Sequence, residues 1–213
     1  MRVLLIGATG SVGRLTADAL RTRGHGVVAF GRSAAARFEA ADGLEPFVGD
    51  VTEPREVERA ADGVDALVLT FGAPLTAETI LHQPDLCEIG TRNALAAMAK
   101  HGIGRLVCMT MIGVGASKDH GRFVFRNLVR PVLLGRIATD RERQEAAIRA
   151  SDARWTIVRP TELTNEEATG DFRALTDLEG VKASTIPRAD VAAFLADAVA
   201  DESTIGSTYL LTT

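Results

Sequence analysis

The chain has 213 residues, 46% of them hydrophobic and 24% charged, with a formal net charge of −4. That size and balance suit one fully cored domain and exclude a disordered, collagenous or membrane-embedded chain, and the acidic balance argues against bulk attraction to nucleic acid or acidic lipid. Two cysteines, Cys87 and Cys108, build no disulfide framework, no Cys/His group has zinc spacing, and the opening apolar run is too short for a signal peptide, so a cytoplasmic protein without a metal or a membrane span is expected.

The first predicted strand is Val3–Ile6, uniformly apolar as a strand covered on both faces must be. It runs directly into Gly7-Ala8-Thr9-Gly10-Ser11-Val12-Gly13. A helix is expected over Ser11–Arg23, with Val12, Leu15, Ala19 and Leu20 at helical spacing and a stop at Gly24. A diphosphate can sit on the N-terminus of such a helix, where free N–H groups and the helix dipole face outward. Gly7 would make the tight turn, Gly10 would let the backbone approach the phosphates, and Gly13 would let helix and strand pack closely. The spacing is one residue longer than the common dinucleotide fingerprint. A glycine-rich turn that binds nothing is the bland alternative, but position between strand and amphipathic helix favours dinucleotide binding. No Gly-Lys-Ser/Thr follows, which excludes a P-loop.

The second strand, Val27–Phe30, ends on Gly31-Arg32-Ser33. An acid at this tip would bind a free ribose 2′-hydroxyl; an arginine instead accommodates a 2′-phosphate. Arg32, with Ser33 and Arg37, therefore favours NADP(H), against the plainer reading of a solvated arginine in an arginine-rich chain. After the third strand, Pro46–Val48, come Gly49-Asp50-Val51. Asp50 is placed to accept from the adenine amino group while Val51 packs on the ring; Asp50 also reads as the cap of a helix beginning near Pro54. The fourth strand, Ala66–Thr70, leads to Phe71-Gly72-Ala73-Pro74, where small residues let the chain pass close to a ribose.

A long Ala-rich helix is predicted over Glu78–His101, with Pro84 interrupting its first turns and Gly102 ending it. The fifth strand is Arg105–Met109. Gly113–Ala138 is the least legible stretch, read either as a cover over a site or as an ordinary helix. Within it Arg122, Arg126 and Arg130 recur at i, i+4 and i+8, a solvated stripe at the mouth or a rim for an anionic substrate or partner. A helix over Asp140–Ala150, a strand at Thr156–Val158, a helix over Arg188–Ala200 after Pro187 and a last strand at Ser207–Leu211 complete the series. Strand–helix alternation over the whole length predicts a single α/β domain, a doubly wound Rossmann-type parallel sheet of about seven strands, with a small substrate region at 111–138 and 160–186.

Taken together, these residues resemble the atypical NAD(P)H-binding branch of the short-chain dehydrogenase/reductase superfamily. That branch includes biliverdin reductase B, also called flavin reductase, and regulators of the nitrogen-metabolite-repression type. The matching pieces are G-A-T-G-S-V-G at 7–13, G-R-S at 31–33, G-D-V at 49–51, R-L-V-C-M-T at 105–110, E-A-A-I-R-A-S at 145–151, W-T-I-V-R-P-T at 155–161 and P-R-A-D-V-A-A-F-L at 187–195. The resemblance implies NADP(H) bound across the strand ends, with Pro160, Thr161 and Leu163 flanking the nicotinamide.

The tyrosine-dependent branch of that superfamily uses a serine after the fifth strand and a Tyr-x-x-x-Lys pair on the next helix, where the tyrosine is the acid. Aligned on E-A-A-I-R-A-S, this chain has Arg141 at the lysine position, Ile137 at the tyrosine position, and Met111 at the serine position beside Thr110. Its single tyrosine, Tyr209, lies near the C-terminus. Hydride transfer to a flavin-like, quinone-like or other conjugated acceptor needs no such acid, because its proton comes from solvent. In that reading Thr110 bonds near the nicotinamide, Arg141 holds the ribose or an anionic substrate group, and Glu162 is a solvent-facing carboxylate or a weak proton source. The partner implied is a small-molecule substrate, with no nucleic acid and no membrane; a protein partner or a homodimer stays open. The competing reading is a non-catalytic NADP(H) sensor acting through a protein. An epimerase or dehydratase relative is disfavoured by the missing Tyr/Lys pair and by the short C-terminal region.

Overall fold

The computed structural model describes residues 1–72, 85–117 and 135–213. Its first strand, β1 (Arg2–Ile6), lies at the middle of the sheet, with Val3, Leu4, Leu5 and Ile6 at most 1% exposed. Val3 and Leu5 enter one hydrophobic cluster and Leu4 and Ile6 the other, so one apolar strand supplies both cores through its two-residue side-chain period.

The remaining strands of the main sheet are β2 (Gly26–Gly31), β3 (Leu44–Val48), β4 (Ala66–Leu69), β5 (Arg105–Met109), β6 (Arg154–Pro160), β8 (Arg173–Leu175) and β10 (Ser207–Thr212). Their spatial order is β3-β2-β1-β4-β5-β6-β10-β8. Strands β1 to β6 and β10 run parallel, and β8 joins β10 antiparallel at the edge. The expected seven strands are all present. The count was nevertheless low: β8, together with β7 (Glu162–Thr164) and β9 (Thr185–Pro187), which pair separately, was not foreseen. Each has three residues, too few to express a period, and no residue of β7 or β8 is fully buried.

Helices α1 (Ser11–Thr22) and α6 (Arg188–Ala200) cover one face and pack on each other; α3 (Pro54–Ala60), α4 (Leu86–His101) and α5 (Gly135–Arg149) cover the other. A single turn, α2 (Ala34–Arg37), links β2 to β3. Helix α5 starts five residues before the predicted Asp140, and α4 closes at Gly102 in the left-handed conformation. Two buried polar residues fix helix ends across the fold. Asp140 of α5 accepts from the Cys87 and Glu88 amides in the first turn of α4. Arg105, on β5, donates to the Ala198 and Val199 carbonyls that end α6, and burial pulls its guanidinium down to about 10. Among the described residues no helix is long and apolar enough to cross a membrane, and no His/Cys/Asp/Glu group could hold a metal.

The chain switches direction across the sheet between β1 and β4. In open parallel sheets the crevice for a ligand opens at that switch, beyond the C-terminal strand ends.

Candidate functional site

A cleft of about 490 Å³ lies at this switch point. Its floor is the turn after β1. Gly7 has φ +90°, open to glycine, and a Cβ there would lie 2.5 Å from the Phe71 nitrogen. A Cβ at Gly13 would lie 2.1 Å from the Gly7 carbonyl oxygen, so α1 starts as close to β1 as backbone allows. Gly10 is the N-cap and offers no side-chain cap. The first intrahelical bond of α1 runs from the Arg14 amide to the Gly10 carbonyl, which leaves the Ser11, Val12 and Gly13 amides ahead of the helix's own ladder. A diphosphate fits those donors and the helix dipole.

On one side the wall is built by β2 and β3. Thr9 leans over Gly31, where an added Cβ would sit 3.2 Å from its side chain. Arg32 lines the cleft mouth, is exposed, and makes no hydrogen bond to any described residue. Asp50 lines the same wall. Its Oδ1 accepts from the Thr52 amide and hydroxyl, and its amide donates to Glu56. The Thr52 bonds, with the nearby Arg32 charge, hold its carboxyl below the ordinary aspartate value. The capping reading of Asp50 is corrected here: Glu53 is the N-cap of α3, and Asp50 closes the turn before it. Ser33 and Arg37 are exposed and do not line the cleft.

On the other side stand Val51, Phe71, Gly72, Leu86, Met109 and Leu163, an apolar end to the cleft. Leu86 carries no motif, Met109 was not expected at the site, and only tertiary packing brings them here. Ala73 lies outside the described residues, as do Arg122, Arg126 and Arg130 and most of the 113–138 stretch. The part of that stretch nearest β5 is a turn closed by the Ser117 hydroxyl.

Arg141, at the lysine position, and Thr110, beside the serine position, are held inward. Arg141 is buried, with Nη1 on Gln144 Oε1 (2.7 Å) and the Met109 carbonyl (3.4 Å), and Nη2 on the Phe71 carbonyl (3.0 Å). It backs the cleft wall so closely that a Cβ at Gly72 would meet Nη2 at 2.3 Å. Gln144 in turn donates to Thr91, tying α4 to α5. Thr110 donates to Glu145 at 2.8 Å. Glu145 also receives Arg159 through two bonds (2.9 and 2.6 Å) and Arg149 at 2.9 Å. Burial alone would raise the Glu145 carboxyl, but Arg159 and the other donors outweigh it and hold it below the usual glutamate range. Neither Thr110 nor Met111 lines the cleft. Cys108 is fully buried and its thiol is pushed up, which excludes it as a nucleophile. Tyr209 packs edge-on against Phe194 in the core shared by α1 and α6.

At the end of β6, Pro160 and the following Thr161 are buried, and the Thr161 hydroxyl has no hydrogen-bond partner among the described residues. Two residues on, Leu163 reaches the cleft, while Glu162 is exposed.

A glycine turn feeding a helix N-terminus, at the switch point of a parallel sheet, defines a Rossmann-type dinucleotide-binding domain. Residues 7–202 match the family described as NAD(P)H-binding, and the chain belongs to that family. It is 31% identical to an uncharacterized sugar epimerase of Bacillus subtilis, with all of this chain and 94% of that protein covered. It is 29% identical to sanguinarine reductase of Eschscholzia californica over 90% of this chain and 81% of the reductase. Among solved structures, a short-chain dehydrogenase/reductase of Veillonella parvula in complex with NADP superposes with a TM-score of 0.80 at 18% identity, covering 100% of this chain and 94% of that one. The fold, the NAD(P)H-binding assignment and the oxidoreductase kinship expected from the sequence all hold.

Proposed function

We propose that the protein is an NADPH-dependent reductase that delivers hydride to a flavin-like, quinone-like or other conjugated acceptor without a tyrosine/lysine acid pair. One observation carries this reading: Gly10, Ser11, Val12, Arg32 and Asp50 line the cleft, while Arg141, at the lysine position, and Thr110, beside the serine position, are bonded into the interior. The amides of Ser11, Val12 and Gly13 and the free Arg32 suit a diphosphate and a 2′-phosphate. Asp50 and Val51 suit the adenine. Leu163, with Pro160 and the Thr161 hydroxyl, which has no partner among the described residues, suits the nicotinamide end.

Bound NADPH supplies the hydride. This chain's residues supply position and exclude water. Arg141 serves by fixing the carbonyls at the ends of β4 and β5, so it orients the apolar wall and transfers no proton. Phe71, Leu86, Met109 and Leu163 make a surface that suits a flat apolar acceptor. The reductase name of a relative covering most of this chain adds support.

The test is NADPH oxidation by the purified protein across a panel of free flavins, quinones and azo dyes. Turnover of at least one class with NADPH preferred over NADH is expected. Tight NADPH binding without turnover of any of them would favour a redox sensor and reject the reductase.

A further inference from the structure

Arg188, the first residue of α6, bonds both to the floor of the cleft and to the wall that carries Leu163. Its Nε donates to Ser11 Oγ at 3.2 Å. Its Nη1 donates to the Leu163 carbonyl at 3.1 Å and to Asn165 Oδ1 at 2.8 Å. Ser11 is the first residue of α1, at the end where the diphosphate fits, and Leu163 lies at the opposite, nicotinamide end of the cleft. Two residues further along α6, Asp190 is 1% exposed and accepts from the Thr169 amide and hydroxyl and the Gly170 amide. The first turn of α6 thus grips the 163–170 segment at both ends, and Arg188 adds the only connection from that segment to the glycine turn among the bonds of the described residues.

We infer that Arg188 is a positioning residue for the cofactor. It sets the pyrophosphate turn and the nicotinamide wall in one register and places a positive charge within a hydrogen bond of the N-terminus of α1. A planar guanidinium can hold a hydroxyl on one edge and two oxygens on another at once; a lysine ammonium is a single point of charge and cannot span them. The charge reinforces the dipole of α1 toward an anion, which neither Ser11 nor the glycines can do by themselves. A purely mechanical brace would tie the 163–170 segment to α6 without needing the bond to Ser11. The inference rests on the cofactor assignment and not on the identity of the acceptor, so a failed acceptor panel leaves it standing.

Binding of three ligands to the intact protein separates the roles. Adenosine 2′-monophosphate carries neither diphosphate nor nicotinamide, 2′-phospho-ADP-ribose carries the diphosphate, and NADP carries both. For Arg188→Ala, affinity for adenosine 2′-monophosphate stays within about twofold, while 2′-phospho-ADP-ribose and NADP each weaken about tenfold or more, the size of a lost charge-assisted contact. Arg188→Lys regains part of the loss for 2′-phospho-ADP-ribose but less for NADP, because charge returns without the fork. Equal loss for all three ligands, or no loss for 2′-phospho-ADP-ribose, overturns the inference. If Arg188→Ala does not fold, Arg188→Lys carries the test: NADP affinity equal to that of the parent chain overturns it. A parent chain that binds adenosine 2′-monophosphate but not 2′-phospho-ADP-ribose overturns both this inference and the cofactor assignment.

Discussion

The β1–β2 region and the α5–β6 region both carry motif residues and use them in opposite ways. Around β1 and β2 the motif residues are left open: the amides of Ser11 to Gly13 precede the helix ladder, and Arg32 has no bonded partner among the described residues. Around α5 and β6 the motif residues satisfy one another: Glu145 takes Thr110, Arg149 and Arg159, and Arg141 spends its guanidinium on Gln144 and two backbone carbonyls. Unsatisfied polar groups at a cleft await a ligand; satisfied ones in a core hold the scaffold. A motif's residue types therefore do not say which service it performs. The hydrogen-bond ledger does.

The largest effect expected from breaking this contrast is at Gly13. Gly13→Ala forces a Cβ against the Gly7 carbonyl, where backbone cannot yield cheaply. A loss of about 3 kcal/mol or more is expected, with NADPH binding abolished in a fluorescence titration. The matching change in the satisfied region is Arg159→Met. It leaves Glu145 buried and short of its main partner, at a cost of about 3–5 kcal/mol in denaturant unfolding. Any folded fraction should bind NADPH within about twofold of the parent, about 0.4 kcal/mol. A selective loss of NADPH affinity there would erase the distinction between the two regions.

Acid sharpens the same point. The folded Glu145 carboxyl lies below its unfolded value, so its contribution is present above about pH 4.3, the unfolded pKa, and is lost as pH falls through the folded one. Glu145→Gln should flatten the acid limb of a Tm-against-pH curve, and an unchanged limb would place the acid sensitivity elsewhere. At the open end, Arg32→Asp should weaken NADPH about a hundredfold, replacing a charge-assisted contact by repulsion, and NADH by less than about threefold. Equal losses for the two cofactors would remove Arg32 from the specificity contact. The smallest effect belongs to Asp140→Asn, which weakens the cross-helix cap on α4 by about 1 kcal/mol with cofactor binding unchanged.

Local patterns were legible wherever one element spans enough residues. Val3–Ile6 and Leu106–Met109 announce buried strands by continuous apolar character, and the Arg188–Ala200 helix begins where Pro187 permits. The short strands β7, β8 and β9 were not legible, because three residues carry no period. Gly7, Gly10, Arg32 and Asp50 could be expected to meet at one cleft because a strand, a turn and a helix in sequence define that geometry locally. The bonds that hold Thr110 and Arg141 were not legible, since Glu145 and the Met109 and Phe71 carbonyls lie on other elements. The pair Glu145 and Arg159 shows the missed signal most clearly. Both residues stand in the two most telling motifs, fourteen positions apart, yet only the packing of α5 on β6 turns them into one ion pair.

The chain by itself determined a doubly wound sheet and a glycine turn built to meet a dinucleotide, because periodicity, glycine placement and helix starts are short-range physics. The tertiary structure decided which polar residues remain open. Hydrogen-bond saturation is settled by neighbours distant in sequence, and it moved Arg141, Thr110 and Glu145 into the framework while it joined Arg188 to Ser11 across 177 residues.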